Sequence, residues 1–195
     1  MTLFVVAGLG LGVLFGFLGV FSLPEGCVDV ALLVLVFGVG MELGRDRGSF
    51  LEVQTLGLRV LLLPLGAMAG SLVGALVLAF STRFTVGESL AVASGFGWYS
   101  LSGVLLARLG NPSLGLLAFL SNVFREILAL VNLEWVYQVF GGWAAVALGG
   151  ATSMDTTLGV LSRVSKGKLV PLGVVSGVLH SLCVAPCIVF FSRFL

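Results

Sequence analysis

A chain of 195 residues with 58% hydrophobic and 10% charged residues, and a mean hydropathy of +1.18, lies far from soluble domains, in which about a quarter of residues are charged. Its net charge of +1 lacks the basic footprint of a nucleic-acid binder, so no nucleic-acid partner is expected. The composition is that of an all-α integral membrane protein, a polytopic helical bundle whose first partner is the lipid bilayer.

A spanning helix needs about 20 mostly apolar residues, and on that measure seven hydrophobic segments run in chain order over 3–21, 28–43, 57–80, 88–107, 114–138, 143–161 and 170–193, forming one transmembrane domain over 1–195. The opening run MTLFVVAGLGLGVLFGFLGVF has no basic residue and no clear cleavage site, so the first span is expected to stay in the mature chain. It carries Gly8, Gly10, Gly12, Gly16 and Gly19, and such small residues let neighbouring helices approach closely. The second segment opens on Asp29 and is short; the sixth is polar for a span. Placing the amino terminus in the cytoplasm puts Arg45, Arg47, Arg59, Arg108, Arg163, Lys166 and Lys168 inside, and only Arg83 and Arg193 outside with the carboxyl terminus. If the fourth and sixth segments enter and leave on one side, five crossings remain.

Two stretches, ASGFGWYSLSGVLL (93–106) and GGATSMDTTLGVLS (149–162), echo one another at an offset of 56 and share GVL at 103–105 and 159–161. Each is rich in glycine and hydroxyl residues and leads into an apolar run. Both read as interrupted segments, discontinuous or re-entrant, of the kind that builds sites from helix ends. The three cysteines, Cys27, Cys183 and Cys187, suit thiols packed on helix faces, and neither a metal site nor any cofactor is expected.

An ionised side chain at mid-bilayer costs at least about 2.5–3.5 kcal/mol, so each intramembrane charge needs a reason. Asp155 sits among Thr152, Ser153, Thr156 and Thr157. Those hydroxyls can bond a carboxylate that holds a cation or a proton, and the same arrangement also suits a carboxylate that only fixes helix packing. Glu126 shares a helix face with Asn122, four residues earlier, whereas Arg125 points about 100° away and suits a partner on another helix, Asp155 among the candidates. A purely structural counter-ion role fits Arg125 equally. Asp29 and His180 are further candidates: Asp29 lies nearer the interface, where charge is cheap, and His180 is either a packing residue or a proton relay.

An enzymatic alternative rests on YSLSG (99–103) with His180, a hydroxyl and an imidazole as in a serine hydrolase of the membrane. The glycine expected two residues before the serine is Ser100 here, and an aspartyl dyad lacks a second partner, since Asp46 lies in a loop and Asp29 near a face. The chain is therefore expected not to be an enzyme.

Read together, GFGWYSLSGVLL, N-x-F-R-E at 122–126, GGATSMDTTLGVLSR, Val170-Pro171 and VFGVGMELGRDRG at 36–48 resemble the LysO-type lysine exporter family of bacterial inner membranes. The resemblance implies a secondary transporter that moves L-lysine, and its analogue thialysine, out of the cytoplasm by exchange for protons. It implies that Asp155 and Glu126 are intramembrane carboxylates of the pathway, with Asp29 as a third. Asn122, Ser153, Thr152 and Thr156 would then be ligands or support for them, and Trp98, Tyr99 and Ser100 a wall beside the site, although the aromatics also suit interfacial anchors. The chain matches the C-terminal two-thirds of such a protein. Its missing spans are expected from a separate short polypeptide, in which case this chain could also be a non-catalytic subunit, or to be made unnecessary in a homodimer. The family's proline after T-L is Gly159 here, which leaves Gly149 and Gly150 to break the sixth segment.

Overall fold

The computed structural model describes residues 59–195 apart from Gly110, together with Gly57 and scattered positions between 11 and 41. The chain divides into two compact units, Met1–Arg45 and Asp46–Leu195. In the first, the described positions, among them Leu11, Phe17, Val34 and Met41, are helical and exposed. The expected spans 3–21 and 28–43 otherwise lie outside the described residues, as does Asp29.

In the second unit every described element is helical. Helix α1, Arg59–Ser81, is an apolar run of 23 residues. After the turn at 82–85 comes α2, Val86–Ala93, opened by a capping box in which the Thr85 hydroxyl accepts the Glu88 N–H and the Glu88 carboxylate accepts the Thr85 N–H. A turn over 94–98 leads to α3, Tyr99–Arg108. Helix α4, Pro112–Phe140, is the longest. Asn111 caps it by accepting the Leu114 N–H at 3.1 Å, and Pro112 occupies its first turn, where an N–H would have no helical partner. Then come α5, Gly142–Gly149, a 3-10 turn at Gly150–Met154, and α6, Leu158–Ser165, which ends on a left-handed Lys166. Helix α7, Val170–Phe191, and a short 3-10 turn, Ser192–Phe194, close the chain.

Among the described residues, three stretches, Val60–Ser81, Pro112–Phe140 and Val170–Phe194, are long and apolar enough to cross a membrane. They correspond to the third, fifth and seventh segments read from the sequence. Helices satisfy their own backbone polar groups, which lets side chains such as Phe80, Val131 and Leu182 stay exposed toward lipid. The fourth and sixth segments are each divided. Their helices of 8 to 10 residues rise about 12–15 Å, half the thickness of a hydrocarbon core of about 30 Å.

Val60, Leu133, Ala145, Val146, Leu161, Leu172 and Val175 form one buried core where α1, α4, α5, α6 and α7 meet. Close approach elsewhere depends on small residues. A Cβ on Gly115 of α4 would stand 2.6 Å from the Gly103 carbonyl of α3, and one on Gly177 of α7 would stand 2.6 Å from the Met154 Cβ. The 3-10 turn therefore lies directly against α7.

Candidate functional site

The two divided segments meet at their breaks. Between α2 and α3, Phe96 and Gly97 take positive φ values of 46° and 103°, which turn the chain and leave the Phe96 carbonyl outside any helix. Between α5 and the 3-10 turn, Gly150 has φ 59° and ψ −128°, a conformation open only to glycine. The Ala151 N–H that follows donates to the Phe96 carbonyl at 3.0 Å. One backbone hydrogen bond thus ties the first break to the second.

Side chains of α4 hold the first break in place. The Asn122 Oδ1 accepts the Gly97 N–H at 2.7 Å, and its Nδ2 donates to the Ala118 carbonyl at 2.8 Å and to the Ser102 hydroxyl at 3.3 Å. Asn122 is buried, so these bonds satisfy groups that water does not reach. The guanidinium of Arg125, one turn on, lies against both breaks. A Cβ on Gly150 would stand 2.6 Å from Arg125 Nη2, and one on Gly97 would stand 3.5 Å from Nη1.

The hydroxyl groups around Asp155 divide into two sets. Thr152 donates to the Gly149 carbonyl at 2.8 Å, Thr157 donates to the Thr152 carbonyl at 2.9 Å, and Ser153 reaches the Gly150 and Gly173 carbonyls at 2.7 and 2.8 Å. All three are buried, and their hydroxyls bond carbonyls of the break itself and, through Ser153, the Gly173 carbonyl of α7. Only Thr156 turns to the carboxylate: its N–H and its hydroxyl both donate to Asp155 Oδ1. Asp155 and Thr156 are exposed.

Tyr99 opens α3 within electrostatic reach of both Glu126 and Asp155, and its ring packs edge-on against Phe119 at 5.6 Å. Trp98, Ser100, Arg125 and Glu126 are half-buried. His180 is fully buried. Its Nδ1 lies 2.7 Å from the Ser176 carbonyl; a carbonyl only accepts, so Nδ1 carries the proton and Nε2 is the bare acceptor. Among the described residues Nε2 has no hydrogen-bond partner, and the ring sits edge-on to Phe96, centroids 6.0 Å apart. Thus Asn122, Arg125, His180 and residues 149–153 converge on one crossing, and Tyr99 feels the charges of both Glu126 and Asp155. Among the described residues, no three of His, Cys, Asp and Glu gather as metal ligands.

A cavity of about 590 Å³ opens between α1, α2 and α4, with Glu88, Ser89, Ser121, Asn122 and Arg125 among its polar lining. Sequence reasoning did not reach Glu88 or this cavity. The T-x-x-E pattern at Thr85–Glu88 was visible, but it signals a cap rather than a pocket.

Three helices long and apolar enough to cross a membrane, among the described residues, in a fold whose described elements are all helical, define a helical membrane protein. The chain belongs to the lysine exporter LysO family, which it matches over residues 2–192. It is 38% identical over 164 residues to the lysine exporter LysO of Escherichia coli K12, an alignment covering 84% of this chain and 54% of that protein. It is 33% identical over 171 residues to a putative lysine exporter of Haemophilus influenzae, covering 88% and 87% respectively. The chain thus spans about half the length of the E. coli relative. No solved structure matches it.

Proposed function

We propose that this chain exports L-lysine, and the analogue thialysine, from the cytoplasm of a bacterium in exchange for protons. The observation that carries the reading is the bond from Ala151 N–H to the Phe96 carbonyl, which joins two helix breaks beside Asn122 and Arg125. These residues lie near the middle of the 29-residue helix α4. A site at that depth is the arrangement by which many secondary transporters hold a substrate between helix ends. On this reading α2–α3 and α5–α6 are interrupted membrane segments. The chain has seven segments, its amino terminus faces the cytoplasm, and its carboxyl terminus faces outside.

The chemistry follows from charge. A carboxylate gains from holding an ammonium group or a proton but little from holding both. Asp155 is the coupling carboxylate, Glu126 a second site or relay, and the Tyr99 hydroxyl, within reach of the fields of both, a link between them. Asp29 supplies a third carboxylate. Thr156 steadies Asp155, and Thr152 and Ser153 keep the break open by occupying its carbonyls. Trp98 and Ser100 form the wall on the α3 side. Protonation from outside releases lysine, and loss of the proton toward the cytoplasm restores the site. A homodimer, or a short polypeptide that adds further spans, completes the bundle.

Counterflow of labelled lysine in proteoliposomes tests the reading. The chain is expected to exchange lysine, and Asp155→Asn to abolish that exchange. Exchange that persists in the variant would contradict the coupling role. An inactive chain regaining flux with an added short partner would favour a subunit of a larger transporter.

A further inference from the structure

On the exporter reading, Asp155 with Glu126 meets one ammonium group of a lysine, but the free amino acid also carries a carboxylate and a second ammonium group. Bringing that anion toward mid-bilayer unpaired costs about as much as burying any other charge. The cavity between α1, α2 and α4 has the groups to receive it. Its walls are apolar and small, Gly70, Gly74 and Ala75 on α1 and Val92 on α2. Arg125 and Asn122 of α4, which also belong to the crossing, line it, as do Glu88 of α2 and Thr82 of the α1–α2 turn. A volume of about 590 Å³ falls within the range of small-molecule sites, typically lined by apolar surface with a few placed polar groups.

We infer that this cavity is a substrate subsite in which Arg125 binds the α-carboxylate of a cationic amino acid and Glu88 receives an ammonium group. The inference rests on the exporter reading above. A guanidinium presents a planar fork of donors that matches a carboxylate two bonds at a time. Arg125 lines the cavity, and its guanidinium also lies against Gly150 and Gly97, neither of which carries a side chain that would crowd it. Glu88 uses Oε2 for the capping bond from the Thr85 N–H at 2.7 Å, and Oε1 retains lone pairs for an ammonium donor. Glu88 precedes Ala93, another lining residue, by five positions on α2, about 7–8 Å of helix rise. The stem between the two charged ends of lysine runs along the apolar wall. A substrate held in this way also bridges α2 to α4 beside the crossing, so its arrival and departure act directly on the two breaks.

Competition against labelled lysine, with the full chain in proteoliposomes, tests the assignment. The competitors are L-lysine, 1,5-diaminopentane, which lacks only the carboxylate, and lysine amide, which keeps the carbonyl but not the charge. The wild-type chain is expected to prefer lysine over both by about tenfold or more, the worth of a charged hydrogen-bonded pair. Arg125→Gln is expected to bring lysine down to the level of the diamine while leaving the diamine unchanged, and Arg125→Lys to recover part of the preference. Glu88→Gln is expected to weaken lysine and the diamine alike, which keeps the test decisive should Arg125→Gln fail to fold. A wild-type chain that binds the diamine as well as lysine would overturn the inference, as would an Arg125→Gln chain that loses both ligands equally while remaining folded. Saturable lysine binding without that preference removes only the subsite and leaves the exporter reading intact. A chain that binds none of the three overturns the exporter reading itself, and the inference with it.

Discussion

Gly150 is the residue on which the crossing most depends, and replacing it with alanine gives the sharpest test of the geometry. Its φ of 59° with ψ of −128° is closed to residues with a side chain. A Cβ there would stand 2.6 Å from the Phe96 carbonyl oxygen and 2.6 Å from Arg125 Nη2. The first of these atoms is held by the Ala151 N–H at 3.0 Å, and the break that carries it is held by Asn122 through Gly97. Relief of the clash therefore means breaking the bond that joins the two segments. The backbone strain is worth about 1–3 kcal/mol and the overpacking about 1–3 kcal/mol, so Gly150→Ala is expected to lose about 2–6 kcal/mol. Gly159→Ala is the matched control: no atom lies within 4 Å of its Cβ position. A helix gains up to about 1 kcal/mol when alanine replaces glycine. Chemical unfolding of the purified chain in detergent, followed by tryptophan fluorescence, compares the two directly. A Gly150→Ala chain as stable as Gly159→Ala would refute the crossed arrangement.

Other substitutions separate the roles assigned here. Asn122→Ala leaves the buried Gly97 N–H without its acceptor and is expected to cost about 1–3 kcal/mol; Asn122→Asp keeps that acceptor but sets a buried carboxylate oxygen against the Ala118 carbonyl and is expected to cost at least as much, and unfolding midpoints of the two variants check both. The Ser102 hydroxyl accepts from Asn122 and donates to the Tyr99 carbonyl, both at a long 3.3 Å, so Ser102→Ala is expected to cost about 1 kcal/mol and to leave lysine flux near wild type. Loss of all activity in that variant would instead support the hydrolase alternative. Gly177→Val drives a side chain into Met154, whose Cβ and Cγ lie 2.6 and 2.7 Å from the Cβ position. It should destabilise by about 1–3 kcal/mol or displace the 3-10 turn, read out as reduced folded yield.

The long helices were legible because about twenty consecutive apolar residues have few other uses. The segments read at 57–80, 114–138 and 170–193 differ from Arg59–Ser81, Pro112–Phe140 and Val170–Phe191 only by a few residues at their ends. Helix α4 starts at Pro112 because Asn111 caps it, a local signal that an apolar count passes over. The stretches rich in glycine and hydroxyl residues mark where helices end, since glycine takes the positive φ values and the hydroxyls bond stray carbonyls. What those hydroxyls bond was not legible. Thr152 and Ser153 look like ligands beside Asp155 in sequence, yet they face carbonyls of their own break and of α7, a consequence of packing that no linear pattern encodes. Helical spacing separated Arg125 from Glu126 but could not say that Arg125 lies against Gly97 and Gly150, because those contacts join residues some 25 positions apart in sequence. The cavity at Glu88 escaped for the same reason: its walls come from three helices.

The central claim is that Asp155 carries a proton or a lysine but not both, and transport driven by a pH gradient tests it most directly. Proteoliposomes with an acidic lumen are expected to accumulate labelled lysine against its gradient through the wild-type chain as protons leave. The Asp155→Asn chain should show no accumulation at any gradient. Accumulation that is unchanged in Asp155→Asn, or wild-type lysine flux that ignores the pH gradient, would contradict the account.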